Sequence, residues 1–256
     1  RQRQMCIRDS IYKHANEEQN TVQIVKSLLY RAKFSLFLTD DSEVEVLQNL
    51  RTEIDKHSFP TNAILENMYA RFLAQYFDKY QYKLRQRTIV DSDTIPTDFQ
   101  LWDTKTFVSQ IHKHFQHSIA EETKLQQFPV EDYMLLLDGK ENTAKYRLSL
   151  YDLFIHNALY FYKSEVPYGY RNDDIYKISE EDFSASSIFI KRRLPIGKEA
   201  VIAKTNTLEL YKKLEASHRN KKEALVDVVL QRLNYALSNS QKNDSNEWYE
   251  KALQNL

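Results

Sequence analysis

Glycine and proline are scarce in this chain, with 3 Gly and 5 Pro among 256 residues. Sheet-rich folds turn often and use these residues to do it, so their scarcity excludes little else but argues strongly for helices. Three glycines also leave no phosphate-cradling loop and no nucleophile elbow of the G-x-S-x-G kind. The single cysteine, Cys6, excludes an internal disulfide and a zinc site built on thiolates. No apolar run approaches the ~20 residues of a membrane span. Neither sign of charge is in excess, since Lys+Arg and Asp+Glu both number 36. No global field therefore calls for nucleic acid or an anionic membrane.

Aromatic residues are present in quantity, at 12%, led by 17 Tyr. Tyrosine suits half-buried positions, with a ring to pack and a hydroxyl to keep wet. The strongest pattern runs over 61–87. Ile64, Met68, Phe72, Tyr76, Tyr80 and Leu84 recur every fourth residue, and Leu65, Tyr69, Leu73 and Phe77 form a second row beside them. Two adjacent rows make a broad apolar stripe on one α-helix, too wide to leave in water. Pro60 sits where this helix should start, with its φ already set and no N–H to satisfy.

Around it, the period predicts a helix over 11–38, with Val22, Val25, Leu28, Leu29, Ala32 and Leu36 in phase. Ser42 and Glu45 read as a capping box for a helix carrying Val44, Leu47, Leu50 and Ile54. Residues 88–101 read as a loop anchored by Phe99, Leu101 and Trp102, and Asp103 as the cap of a helix bearing Phe107, Val108, Ile111, Phe115 and Ile119. Pro129 opens a short apolar turn that Gly139 ends, and a second strong helix spans 151–162. Pro167, Gly169, Pro195 and Gly197 then bracket a stretch of poor helical period, where 187–190 reads as an extended segment or a buried loop. After Lys198 helices return, carried by Leu208, Tyr211 and Leu214, then Leu225, Val229, Leu233 and Leu237, then Trp248, Tyr249, Ala252 and Leu253.

The expectation is an all-α fold, a helical-repeat-like array of antiparallel helices with long loops, truncated at both ends. Residues 1–10 show no helical apolar period and resemble a translated sequencing-adapter artefact, so they are read as a leader foreign to the fold. Three Arg and one Asp leave with it, which tips the net charge slightly negative. An N-terminal helical domain then covers 11–165, an irregular linker 166–197, and the start of a second, repeat-like unit 198–256.

Candidate chemistry is sparse. His114 and His117 stand three apart on one helix, a spacing that suits zinc. His112 falls about 160° from His114 at 100° per residue, and no H-E-x-x-H accompanies them, so solvated or packing histidines are the expectation. Asp152 and His156 pair at i, i+4 without a nucleophile on a strained turn. Glu121-Glu122 and Glu180-Glu181-Asp182 read as charged helix caps. Lys191-Arg192-Arg193 and Arg219, Lys221 and Lys222 are short basic clusters among acidic residues, near Phe183 and Phe189. They read as solvated charge, and no nucleic-acid partner is expected. No catalytic, cofactor-binding or metal residue is therefore assigned, and an enzyme is not expected.

Several blocks carry a resemblance. Ser27-Leu28-Leu29-Tyr30-Arg31-Ala32-Lys33-Phe34, and Ala63-Ile64-Leu65 leading to Tyr69 and Tyr76, resemble the N-terminal helical region of Bacteroidota-type bacterial alpha-2-macroglobulin-like proteins. So do Arg87-Thr88, Asp98-Phe99, Trp102-Asp103, and Leu150-Tyr151-Asp152-Leu153-Phe154 with His156, Ala158 and Leu159. The resemblance implies a cell-envelope protein, periplasmic or a lipoprotein attached to the outer membrane, of a protease-trapping family. Its partners would be downstream macroglobulin domains of its own chain, and proteases or envelope proteins. Cys6 is followed by Ile7-Arg8-Asp9, so the family's Cys-x-Glu-Gln thioester is absent from this chain. No run of short alternating strands marks a sandwich domain. The region would thus serve as a scaffold, without inhibiting a protease by itself; a peptide-binding adaptor of tetratricopeptide-like helical repeats is the alternative.

Overall fold

The computed structural model describes residues 2–36, 42–87, 95–136, 143–164, 176–195, 203–241 and 243–256, with the side chains of residues 2–8 and 143 excepted. Among them the chain is all-α: α1 (Gln2–Glu17), α2 (Thr21–Leu36), α3 (Ser42–Ile54), α4 (Thr61–Arg85), α5 (Thr104–Ser118), α6 (Glu122–Leu125), α7 (Thr143–Tyr146), α8 (Leu150–Lys163), α9 (Ser186–Phe189), α10 (Ala203–Ser217), α11 (Lys222–Asn239) and α12 (Ser245–Gln254). Short 3₁₀ turns cover Phe99–Leu101, Val130–Leu136 and Glu180–Phe183. The helical class expected from the missing turn residues is the one observed. Gly139, Pro167, Gly169 and Gly197 lie outside the described residues.

The chain divides into two compact units. The first holds 1–144 and 148–157, the second 145–147 and 158–256. In the first, consecutive helices α1 to α5 pack in series, and α2 also meets α4. The stripe on α4 lies as its spacing dictates. Leu65, Tyr69, Leu73 and Phe77 are buried, and so are Ala63, Ile64, Ala70 and Leu84. The row through Met68, Phe72, Tyr76 and Tyr80 borders the buried one at intermediate exposure. Tyr76 packs its ring on Tyr80, Phe99 and Phe107 at centroid distances of 4.6, 5.2 and 6.0 Å. Its neighbour Tyr80 reaches Glu43 on α3 with a hydroxyl hydrogen bond of 2.9 Å. The stripe is therefore covered by α3, α5 and the turn at Phe99.

A buried polar knot fixes three helices of this unit. Asn67 on α4 donates to the Ser118 hydroxyl on α5 at 3.0 Å and to the Phe154 carbonyl on α8 at 3.4 Å, while its own side-chain oxygen accepts from Asn157 at 2.7 Å. Every bond here would be expensive to leave unmade in a dry interior, so the knot sets the register of α4, α5 and α8.

The structure departs from the expected boundaries where local chemistry outweighs period. The span 11–38 is interrupted at 18–20, where Gln19 takes a φ of 51° and Asn20 accepts from the Gln23 N–H at 3.1 Å. The break is an Asn N-cap following a left-handed residue. Leu36 is 48% exposed, at the far end of α2. Residues 2–10 continue α1 in helical form despite their lack of an apolar face, since nothing in Gln2–Glu17 is Gly or Pro. In the loop before α5, Phe99 and Trp102 are anchors but Leu101, at 66%, faces solvent. Trp102 donates its indole N–H to the Pro96 carbonyl at 2.6 Å, and Arg87 donates to the Trp102 carbonyl at 2.8 Å, so polar bonds hold the loop where a third apolar anchor was expected. Asp103 caps α5 as expected, accepting from the Thr106 N–H at 2.7 Å.

In the second unit α10 packs on α11, α11 on α12, and the turn Glu180–Phe183 sits against α9, α11 and α12. Residues 187–190, expected as an extended segment or a buried loop, lie mainly in the short helix α9. Its buried Phe189 and capping bonds to the Ala185 carbonyl suffice for one turn, too short to show a period. The buried face of α11 is Ala224, Val228, Val229, Arg232, Leu233, Tyr235 and Ala236. It includes an arginine that apolar spacing alone would place in water.

Candidate functional site

The paired histidines of α5 converge with a carboxylate of α4 in the first unit. Residues three apart on a helix share a face, and that face of α5 meets α4. Glu66, one residue past the buried row, points into the same seam. One carboxylate oxygen of Glu66 is hydrogen-bonded to His114 Nδ1, and the other lies 3.5 Å from His117 Nδ1. The His114 side chain is 6% exposed and that of Glu66 13%, whereas His117 is 51% exposed. Tyr69 sets its ring edge-to-face against His114 at 4.6 Å. Burial lifts the Tyr69 phenol to about 12, opposed by Arg51 and helped by Glu66, so it remains a neutral wall of the site. One ligand atom from each of Glu66, His114 and His117 falls within 4.8 Å of the others.

The remaining candidates resolve into local structure. Asp152 accepts from the Leu148 and Ser149 N–H groups at 3.0 and 2.9 Å and from the Ser149 hydroxyl at 2.9 Å, so it closes the N-terminus of α8. His156, four residues on, is buried on the same helix. Glu121 pairs with Lys124 at 2.9 Å in the first turn of α6. Asp182 forms a capping box with Ser179, and also accepts from the Tyr176 hydroxyl at 2.7 Å and from Arg192. Arg192 further pairs with Glu181 at 3.0 Å, so the basic run 191–193 is partly neutralised by the acidic run beside it. Arg219, Lys221 and Lys222 are exposed.

Two features escaped the sequence reading. The first is Glu66, which sits 48 residues from His114 with no spacing to link them. The second is the anchor of the second unit. Arg232, fully buried, donates from Nε to Glu215 Oε1 at 2.6 Å, from Nη1 to the Asp182 carbonyl and from Nη2 to the Ser184 carbonyl at 2.9 Å. Its guanidinium lies 4.1 Å from the centre of the Phe189 ring. Burial pushes the Glu215 carboxyl up, against the pull of the Arg232 charge.

The second unit also bears a groove of about 630 Å³ whose apolar wall includes Phe183, Ile188, Leu225, Val229, Leu233 and Trp248. A smaller cavity of about 180 Å³ in the first unit is lined by Arg31, Glu45, Glu53, Met68 and Phe72 among others. Among the described residues no helix is long and apolar enough to cross a membrane. No protein-family model, curated protein or solved structure matches the chain.

Proposed function

We propose that this chain is a non-catalytic helical scaffold, the N-terminal helical region of a cell-envelope alpha-2-macroglobulin-like protein. One observation carries the scaffold reading: the aromatic ridge of α4 is used up in sealing helix to helix. Phe77 and Leu73 are 0% exposed and Tyr76 packs ring on ring, so this part of the ridge is closed, and only Met68 and Phe72 border the small cavity of the first unit. Tyr12, Tyr176 and Glu215 are pushed up chiefly by burial, and Glu53 is held down against burial by its hydrogen-bond partners; all four sit within hydrogen bonds or ion pairs that tie helices or turns together. The envelope and macroglobulin assignments rest on the matching blocks of sequence given above. Reading the complete gene tests them: β-sandwich modules should follow Leu256, and an unrelated catalytic domain or a stop codon there overturns them.

The apolar groove of the second unit favours a second reading, a peptide-binding adaptor. Its walls offer aromatic and aliphatic contact, with Glu180, Glu181 and Lys251 among its polar lining residues. Capture of short apolar peptides by this chain alone, lost on Trp248→Ala, would favour the adaptor over the scaffold.

A further inference from the structure

We propose that Glu66, His114 and His117 form a binding site for a divalent transition-metal ion of the zinc type, at the seam of α4 and α5. Three observations converge on it. The donor set is two imidazoles and a carboxylate, which suits Zn²⁺, Co²⁺ or Ni²⁺ and is too nitrogen-rich for Ca²⁺ or Mg²⁺. The donors are already gathered, with one atom from each within 4.8 Å of the other two. Bonds of about 2.0–2.2 Å to a tetrahedral ion place its ligand atoms roughly 3.4 Å apart. The 3.5 Å between Glu66 and His117 Nδ1 already matches that separation. The closer Glu66–His114 hydrogen bond opens by a small side-chain rotation to admit the ion.

The surroundings fit a three-ligand site with a free coordination position. Glu66 and His114 are held on neighbouring buried helix faces, so their approach is preorganised by the packing of α4 on α5. His117 is half in solvent, which gives the ion an entry path and leaves the fourth position to water. A hydrogen-bonded Glu–His pair that only ties the two helices needs no second histidine. His117 is the residue that separates the two readings, because its exposed ring contributes little to the core. The site stands independently of the scaffold assignment and does not require catalysis.

The test uses the whole chain, purified without a polyhistidine tag, with Zn²⁺ and Co²⁺ as the probes. Equilibrium dialysis should find one tightly held Zn²⁺ per chain. Co²⁺ should give the intense visible bands of a four- or five-coordinate nitrogen–oxygen site. His117→Ala and Glu66→Gln should each weaken Zn²⁺ by at least about tenfold and bleach the Co²⁺ bands. Unchanged far-UV circular dichroism would show that His117→Ala still folds, while His112→Ala serves as a control that leaves binding intact. Failure of the wild-type chain to take up Zn²⁺ at micromolar free metal overturns the proposal. So does uptake that His117→Ala and Glu66→Gln leave unaltered.

Discussion

Arg232→Met probes whether one ionic anchor organises the second unit. Methionine replaces much of the arginine stem but removes every donor. The Glu215 carboxylate, itself 0% exposed, then loses its 2.6 Å partner, and the Asp182 and Ser184 carbonyls lose theirs. The contact 4.1 Å over Phe189 becomes apolar. Breaking a buried pair from one side costs about 3–5 kcal/mol, because the surviving charge is left in a dry interior. That is a large share of the ~5–15 kcal/mol that holds a typical domain folded. Removing the orphan as well, in Arg232→Met/Glu215→Gln, should return part of the loss, with a coupling of ~0.5–3 kcal/mol. The sign with pH follows from Glu215, whose carboxyl burial already pushes up and whose counter-charge the mutation deletes. In acid the carboxyl is protonated folded or unfolded and costs nothing. As pH rises through the ordinary carboxyl range the unfolded chain ionises first, so the variant loses stability toward neutral pH. Urea unfolding followed by circular dichroism, from acid to neutral pH, measures all three quantities. A loss under ~1 kcal/mol, the worth of an exposed pair, or strict additivity in the cycle, would refute the argument.

Three further outcomes are expected. Leu73→Ala, at a position 0% exposed, should cost ~3–5 kcal/mol of unfolding free energy, whereas Leu101→Ala, at 66% exposure, should stay within ~0.5 kcal/mol. Asn67→Ala should cost about 1–3 kcal/mol by removing the acceptor of the Asn157 amide and one donor to the Ser118 hydroxyl, seen as a lower thermal midpoint, while a midpoint like wild type would remove the polar knot from the account. Burial first, then the hydrogen bond and charge of Glu53, push the Tyr12 phenol up to about 12. The stability this gives is present below pH 10.0 and lost as pH climbs toward 12. Tyr12→Phe should therefore flatten the alkaline limb of the urea midpoint, by about 1 kcal/mol once solvent screening of this half-exposed phenol is counted.

Most of the fold was legible because helices write themselves in periods. The rows of α4 predicted both its length and its buried side, and Asp103 announced the start of α5 by residue type alone. What escaped was decided by single hydrogen bonds. The break between α1 and α2 depends on Asn20 bonding back to Gln23, in a polar run, 16–20, that no Gly or Pro marks. Leu101 looked like an anchor because it is leucine between two aromatics. Yet a 3₁₀ turn of Phe99–Leu101 has room to bury only one side, and the indole of Trp102 took the inner place with its bond to Pro96. On α11, hydrophobicity cannot anticipate an arginine pointed inward, since its burial requires Glu215 and two carbonyls brought from elsewhere in the chain.

The same physics explains why two of the three candidate donors could be read and the third could not. His114 and His117 share a face through helix geometry, a local property that spacing records. Glu66 joins them only because α4 and α5 pack with that register, and register is set by the fit of Phe77 on Phe107 and by Asn67 reaching Ser118. A carboxylate amid the rows of an apolar stripe is nevertheless a signal in itself. Charge placed beside a buried face is costly unless a partner awaits it across the seam, and here two imidazoles do. The proposed scaffold role and the proposed metal site are then compatible consequences of one seam. The ridge that closes α4 onto α5 also holds two donors in place, and an ion bound there would clamp the helices that the ridge has already brought together.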